Sequence, residues 1–239
     1  MKVVISQPMF IPWIGLFEQI RLADVFVHYD DVQMPQGRSF MSRVQIKTLK
    51  GQQWMSAQVD KEASGILISE TVLMARTNWR DDHINLLKEN YRNAPYRSLM
   101  LEIAADIYAF DGLNLAQFNQ YALEYLARWL NLHAKFEVSS SLSIPGQSSR
   151  RLVAICKRFN ATDYLTGQGA LNYLDCNLFE LSNIDVSFMT YKKHPYQQQH
   201  GDFNPHVTIL DAIANIGDDS RFLLTSNAVP WRSYVDAIR

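Results

Sequence analysis

The sequence is poor in cysteine. Its two, Cys156 and Cys176, have no nearby cysteine or histidine at metal-ligand spacing. That excludes a disulfide framework and a zinc finger and fits a reducing compartment. Charge of one sign is lacking too: 23 Lys and Arg against 24 Asp and Glu give a net charge of −1. No general affinity for nucleic acid follows, though a local basic cluster can still serve one anionic ligand. No apolar run reaches the roughly 18–20 residues a membrane span needs. The amino terminus carries one lysine and an apolar run broken by Pro8, too short for a signal peptide. A cytoplasmic protein without membrane insertion is expected.

What is present is a strand, loop, helix, strand unit. Val3-Val4-Ile5 reads as a buried strand. Gln7-Pro8-Met9-Phe10-Ile11-Pro12-Trp13-Ile14-Gly15 is a loop by its prolines and glycine. Residues 16–23 have helical spacing, and 24–29 form a second strand with Asp30 and Asp31 just past its end. Such a unit makes two parallel strands, and its loop and acidic pair lie at the carboxyl edge where open parallel sheets bind ligands.

Residues 32–42 form a loop with Arg38. Residues 43–48 and 53–59 read as a hairpin inserted at 42–60, and 66–72 as another short strand. A helical block follows over 78–131, with helices from Trp79 toward Tyr91, over 96–110 with Pro95 at the first helical position, and over 115–130 after Asn114. Alternation resumes with strands at 136–139, 162–166 and 186–189. Helices are expected at 150–159, capped by Ser148 or Ser149, and at 170–181. The expected fold class is α/β, a parallel Rossmann-like sheet from 1–30 and 135–190 in one domain spanning 1–239.

Each candidate site has a functional and a structural reading. Asp30 and Asp31 suit Mg²⁺ or a sugar hydroxyl, or else cap a turn and face solvent. Arg38, Arg43 and Lys47 fall close together, and Arg43 and Lys47 share a strand face. They suit a phosphate or carboxylate, or else guard an edge strand. Gly167 and Gly169 at a strand-to-helix junction suit an anion or a plain turn. Trp13 can stack on a sugar or base ring. His194, His200 and His206 have a regular spacing, but in a Pro/Gln-rich loop without a helix to fix it. Cys156 reads as core and Cys176 as more accessible. Metal: none is assigned, and no cofactor is named.

The first loop invites comparison with phosphate-handling nucleotidyl-transfer enzymes. Pro12-Trp13-Ile14-Gly15 stands where those carry a His-x-Gly-His box, and the absent histidines argue against that chemistry. A closer match is the segment Gln7 through Gly15, then Ala23-Asp24-Val25-Phe26-Val27-His28-Tyr29-Asp30-Asp31-Val32, then Arg43-Val44-Gln45-Ile46-Lys47-Thr48. It continues through Tyr91-Arg92-Asn93-Ala94-Pro95-Tyr96, Tyr164-Leu165-Thr166-Gly167, Gly169 to Asp175, Tyr196-Gln197-Gln198 and Ile209-Leu210-Asp211. In order and extent this resembles the WbqC-like family. Ser42 stands where the family usually has Asn. The resemblance implies a cytoplasmic transferase in surface-polysaccharide (O-antigen-like) or related small-molecule biosynthesis, working on a small-molecule or carrier-bound substrate. Acyl or aminoacyl transfer to an amine of a nucleotide-activated amino sugar is the expected reaction, with Asp30 and Asp31 as catalytic residues. Gln7 and Trp13 would line the pocket, and Arg38, Arg43 and Lys47 would hold the anion. Gly167, Gly169, Tyr173 and Asp175 would form the opposite wall, with Tyr196 and Gln198 as a lid. The alternatives are a non-catalytic assembly protein of a biosynthetic complex and a nucleotide-binding relative of nucleotidyltransferases.

Overall fold

The structure, a computed structural model, describes residues 1–35, 39–60, 65–75 and 77–238. In chain order the strands are β1 (Lys2–Ser6), β2 (Val25–His28), β3 (Arg43–Thr48), β4 (Gly51–Ser56), β5 (Lys135–Val138), β6 (Asp163–Thr166), β7 (Asp185–Thr190) and β8 (Asn227–Pro230). The helices are α1 (Ile14–Leu22), α2 (Trp79–Asn90), α3 (Arg97–Tyr108), α4 (Leu115–Trp129), α5 (Ser139–Leu142), α6 (Ser148–Arg158), α7 (Cys176–Glu180), α8 (Ile209–Ile216) and α9 (Trp231–Ile238).

Six strands form one sheet in the order β5-β2-β1-β6-β7-β8, and β3 and β4 form a separate antiparallel hairpin. The first five are mutually parallel, and β8 closes the edge antiparallel to β7. The short apolar runs explain the sheet's position. Val4, Phe26, Leu165 and Met189 point to one face, against Leu16, Phe17 and Ile20 of α1 and the α3–α4 block. Val3, Val25, Val27, Tyr164 and Val186 point to the other, against α6, α7 and α9. With both faces covered, the central strands read as continuous hydrophobic runs, as buried parallel strands do. β1 connects outward to β2 on one side and pairs β6 on the other, so the β1–β6 boundary is a topological switch point.

The α/β class, parallel sheet and hairpin agree with the sequence reading; four local expectations do not. Residues 66–72 form no strand but a 3₁₀ turn, Ile68–Glu70, because its amides are taken by the Asp30 and Val32 carbonyls. The helix expected over 170–181 splits into a 3₁₀ turn, Gln168–Asn172, and α7. Asp175 starts α7 afresh by accepting a bond from the Leu178 amide. Neither Ser148 nor Ser149 caps α6. Gln147 holds that position, and the Ser149 hydroxyl instead accepts from the Asp175 amide. Pro95 lies two residues before α3, not at its first position. No helix among the described residues is long and apolar enough to cross a membrane.

Candidate functional site

A cleft of about 1150 Å³ opens at the carboxyl ends of β1, β6 and β7, at the switch point. From β1 come Ser6, Gln7 and Trp13, and from β2 the ring of Tyr29. The turn after β6 gives Thr166, Gly167, Gln168 and Gly169, with Tyr173 beyond it. The segment after β7 gives Tyr191, Lys192 and Lys193, and His206 closes the rim. None of the described lining residues is Asp or Glu.

The β1 loop is held by parts of the chain far from it. Ile11 sits at φ +36°, strained for a β-branched residue, and is fully buried. The Thr208 hydroxyl donates to its carbonyl at 2.8 Å, and the Ile209 amide donates to the Pro12 carbonyl at 2.9 Å. The Phe10 amide donates to the Phe40 carbonyl. Buried Asn119 of α4 donates to the carbonyls of Pro8 at 2.9 Å and Met41 at 2.7 Å. So fixed, the loop carries Trp13 into the cleft, where its ring folds over Gly15 and meets Tyr191 at 5.1 Å and His206 at 5.3 Å.

Five of the residues expected from sequence meet in this cleft: Gln7, Trp13, Gly167, Gly169 and Tyr173. Asp30 and Asp31 lie behind it. The Asp30 carboxylate accepts from the Ser140 amide at 3.0 Å and the Ser140 hydroxyl at 2.8 Å, and the Ser139 hydroxyl stands between both carboxylates. Asp31 pairs with buried Arg151, whose guanidinium covers the Tyr29 ring at 5.0 Å. Burial raises the Tyr29 phenol above its ordinary value, so the ring enters the cleft as a neutral donor. Asp175 is the cap of α7.

The other expected residues belong to the flank. Arg43 lies over Trp54 of the hairpin at 4.5 Å. The Lys47 ammonium donates to the carbonyls of Gly201 at 3.0 Å and Asp202 at 2.6 Å, and burial lowers its pKa. Tyr196 and Tyr91 each donate to the buried Asp211 carboxylate at 2.8 Å, and the Gln198 amide donates to the Tyr196 hydroxyl at 2.9 Å. These bonds tie the long segment between β7 and α8, which carries Lys192, Lys193 and His206. Arg38 lies outside the described residues.

The three spaced histidines separate. His194 meets Thr225 and His200 the Asn90 carbonyl, while His206 lines the cleft. Among the described residues no three His, Cys, Asp or Glu gather as a metal site. Burial first, then the Lys193 charge, lowers the His206 pKa below its ordinary 6.5. Burial raises the Cys176 thiol and pushes Cys156 up to about 12, the opposite of an activated thiolate.

Sequence reasoning did not name Lys192, Lys193 or Arg151 as site residues. The two lysines had a usable signal, their place just past the last parallel strand. Arg151 had none, since its partner Asp31 is distant in sequence.

The WbqC-like protein family matches residues 7–222. An uncharacterized protein of Mycobacterium tuberculosis, Rv1507c, is 30% identical over 221 residues, covering 92% of this chain and 95% of its own length. No solved structure matches.

Proposed function

The chain belongs to the WbqC-like protein family, and from that premise we propose a transferase that moves an acyl or aminoacyl group onto the amine of a nucleotide-activated amino sugar. The proposed setting is the cytoplasm, in surface-polysaccharide or related small-molecule biosynthesis. One observation carries the reading: the cleft at the switch point joins an imidazole, two lysines and several aromatic rings, with no carboxylate among its described lining residues. An anionic, ring-bearing donor or acceptor suits such walls.

In this reading the amine nitrogen attacks the acyl carbonyl carbon. The C–N bond forms, the bond from that carbon to its sulfur or oxygen leaving group breaks, and the surplus ammonium proton passes to His206. Its lowered pKa keeps the imidazole unprotonated near neutrality, so the ring is free to accept that proton. Asp30 and Asp31, whose carboxylates already carry donors, act as positioning residues through Arg151 and Tyr29.

The test is mass-spectrometric detection of acylated product from a panel of acyl thioesters and aminoacyl adenylates with nucleotide amino sugars. Turnover should fall by about 10²–10⁴-fold in His206→Asn. Its acid limb in the wild type should lie below pH 6.5, with rate lost as pH falls through the lowered imidazole pKa. Absence of product across the panel, or full activity in His206→Asn, rejects the reading. A second reading, an assembly protein of a biosynthetic complex, is favoured by Val72, Met74 and Leu113, which are exposed on neighbouring segments beside α4. It predicts binding without turnover.

A further inference from the structure

We infer that the cleft holds a nucleoside diphosphate without a divalent cation, its diphosphate on the Lys192–Lys193 side and its planar base on Trp13. The inference rests on the cleft being the ligand site, and not on group transfer taking place there.

Three adjacent strands supply the parts in spatial order. β1 leads to Trp13, β6 to the Gly167–Gly169 turn, and β7 to Lys192 and Lys193. The Trp13 ring meets Tyr191, the chain neighbour of Lys192, at 5.1 Å, so the aromatic wall and the lysines border one another in the cleft, as base and diphosphate do in a nucleotide. Neither lysine has an ion-pair partner among the described residues. Gly169 has open space where a side chain would stand, which lets a phosphate oxygen approach the backbone. Trp13 is partly exposed, with its ring folded over Gly15, and offers stacking area beside the segment that carries the lysines.

The charge pattern excludes the common alternative of a carboxylate-held metal bridging the phosphates. No described lining residue is acidic. The nearest acidic pair, Asp30 and Asp31, is occupied by Ser139, Ser140 and Arg151. Positive side chains alone must then balance the diphosphate, as point charges and hydrogen-bond donors.

A nucleoside diphosphate is common to nucleotide sugars and to coenzyme A, so both sources are tested. Isothermal titration of the full chain in EDTA uses uridine diphosphate, coenzyme A and inorganic phosphate as probes. The expected result is saturable binding of uridine diphosphate or of coenzyme A, with inorganic phosphate at least about tenfold weaker for want of the stacking contact. A preference for the first assigns the nucleotide-sugar source, and for the second the thioester source. Lys192→Ala/Lys193→Ala should weaken that binding by about tenfold or more at an unchanged melting temperature, and Trp13→Leu should weaken it for the nucleotide but not for phosphate. Three results overturn the inference: no binding of either nucleotide, binding that appears only with Mg²⁺, or unchanged affinity in the double lysine variant. Binding that meets these terms without acyl transfer leaves this site standing and rejects the transferase reading alone.

Discussion

Gly15 is the residue at which the sequence most tightly constrains the cleft. A methyl group there would sit 1.6 Å from Trp13 Cζ3, far inside any contact distance, so the indole keeps its place only while residue 15 has no side chain. The alternative account of Gly15 is helix propensity, by which alanine in α1 would be stabilising by up to about 1 kcal/mol. The two effects oppose one another, and a double-mutant cycle separates them. Gly15→Ala should destabilise the wild type in urea unfolding and should be neutral or stabilising in a Trp13→Ala background. The coupling should fall in the range of about 0.5–3 kcal/mol seen for residues in contact. Equal effects of Gly15→Ala in the two backgrounds would show that the ring does not depend on the glycine. Pro12 and Trp13 were legible as loop from composition, but Ile14 and Gly15, expected in that loop, open α1 with Trp13 as its cap. The reason for the glycine, a ring folding back over two residues, required coordinates.

At the scale of elements, legibility followed the length and regularity of the apolar pattern. The three helices α2, α3 and α4 show apolar residues at helical spacing over several turns, and the structure shows helices there to within a few residues. Residues 66–72 are too short for a period to dominate, and local bonds from Asp30 and Val32 decide their form; 170–181 is as long as α2, but Asp175 caps a new helix within it. Within the helical block, His83 of α2 is buried against Phe10 and Trp79, and its Nδ1 lies 3.0 Å from the Tyr108 hydroxyl of α3. Burial lowers its pKa from 6.5 to about 4. Below pH 6.5 the unfolded chain takes up a proton that the folded chain refuses, so the native state loses stability as pH falls from 6.5 toward 4. The loss is about 3 kcal/mol. The buried Asp211 carboxyl, raised chiefly by burial, works in the other direction, since acid relieves its charge. Comparing the wild type with His83→Gln at each pH isolates the imidazole. Denaturant unfolding should show a stability difference that shifts in favour of the variant by about that amount on going from pH 7 to pH 4. A pH-independent difference would mean that His83 takes a proton inside the fold.

For the whole molecule, the cleft is a meeting of distant segments, and the β3–β4 hairpin and the α2–α4 block brace it. The parallel sheet provides the edge, which is why Gln7, Gly167 and Gly169 could be picked from strand ends alone. The brace was not legible, because it runs through single buried groups whose partners lie far off in sequence. Asn119 is the clearest case: fully buried in α4, it lines no part of the cleft, yet it donates to Pro8 at the start of the Trp13 loop and to Met41 before the hairpin. Asn119→Leu keeps the branched shape of the side chain but leaves two buried carbonyls without this donor, at a cost of about 1–3 kcal/mol. In a chain of this size each kcal/mol lowers the melting temperature by roughly 2–4 °C. A purely local role for Asn119 would confine the effect to α4. The brace predicts a second change at a distance: hydrogen exchange should quicken at the Phe10 amide, whose bond to the Phe40 carbonyl spans the same two segments. The amides of β2, on the far side of β1, should keep their protection. If exchange at Phe10 were unaltered while the melting temperature fell, the helical block would be stabilising the fold without holding the loop. The cleft geometry would then belong to the sheet and the segment around Thr208 alone.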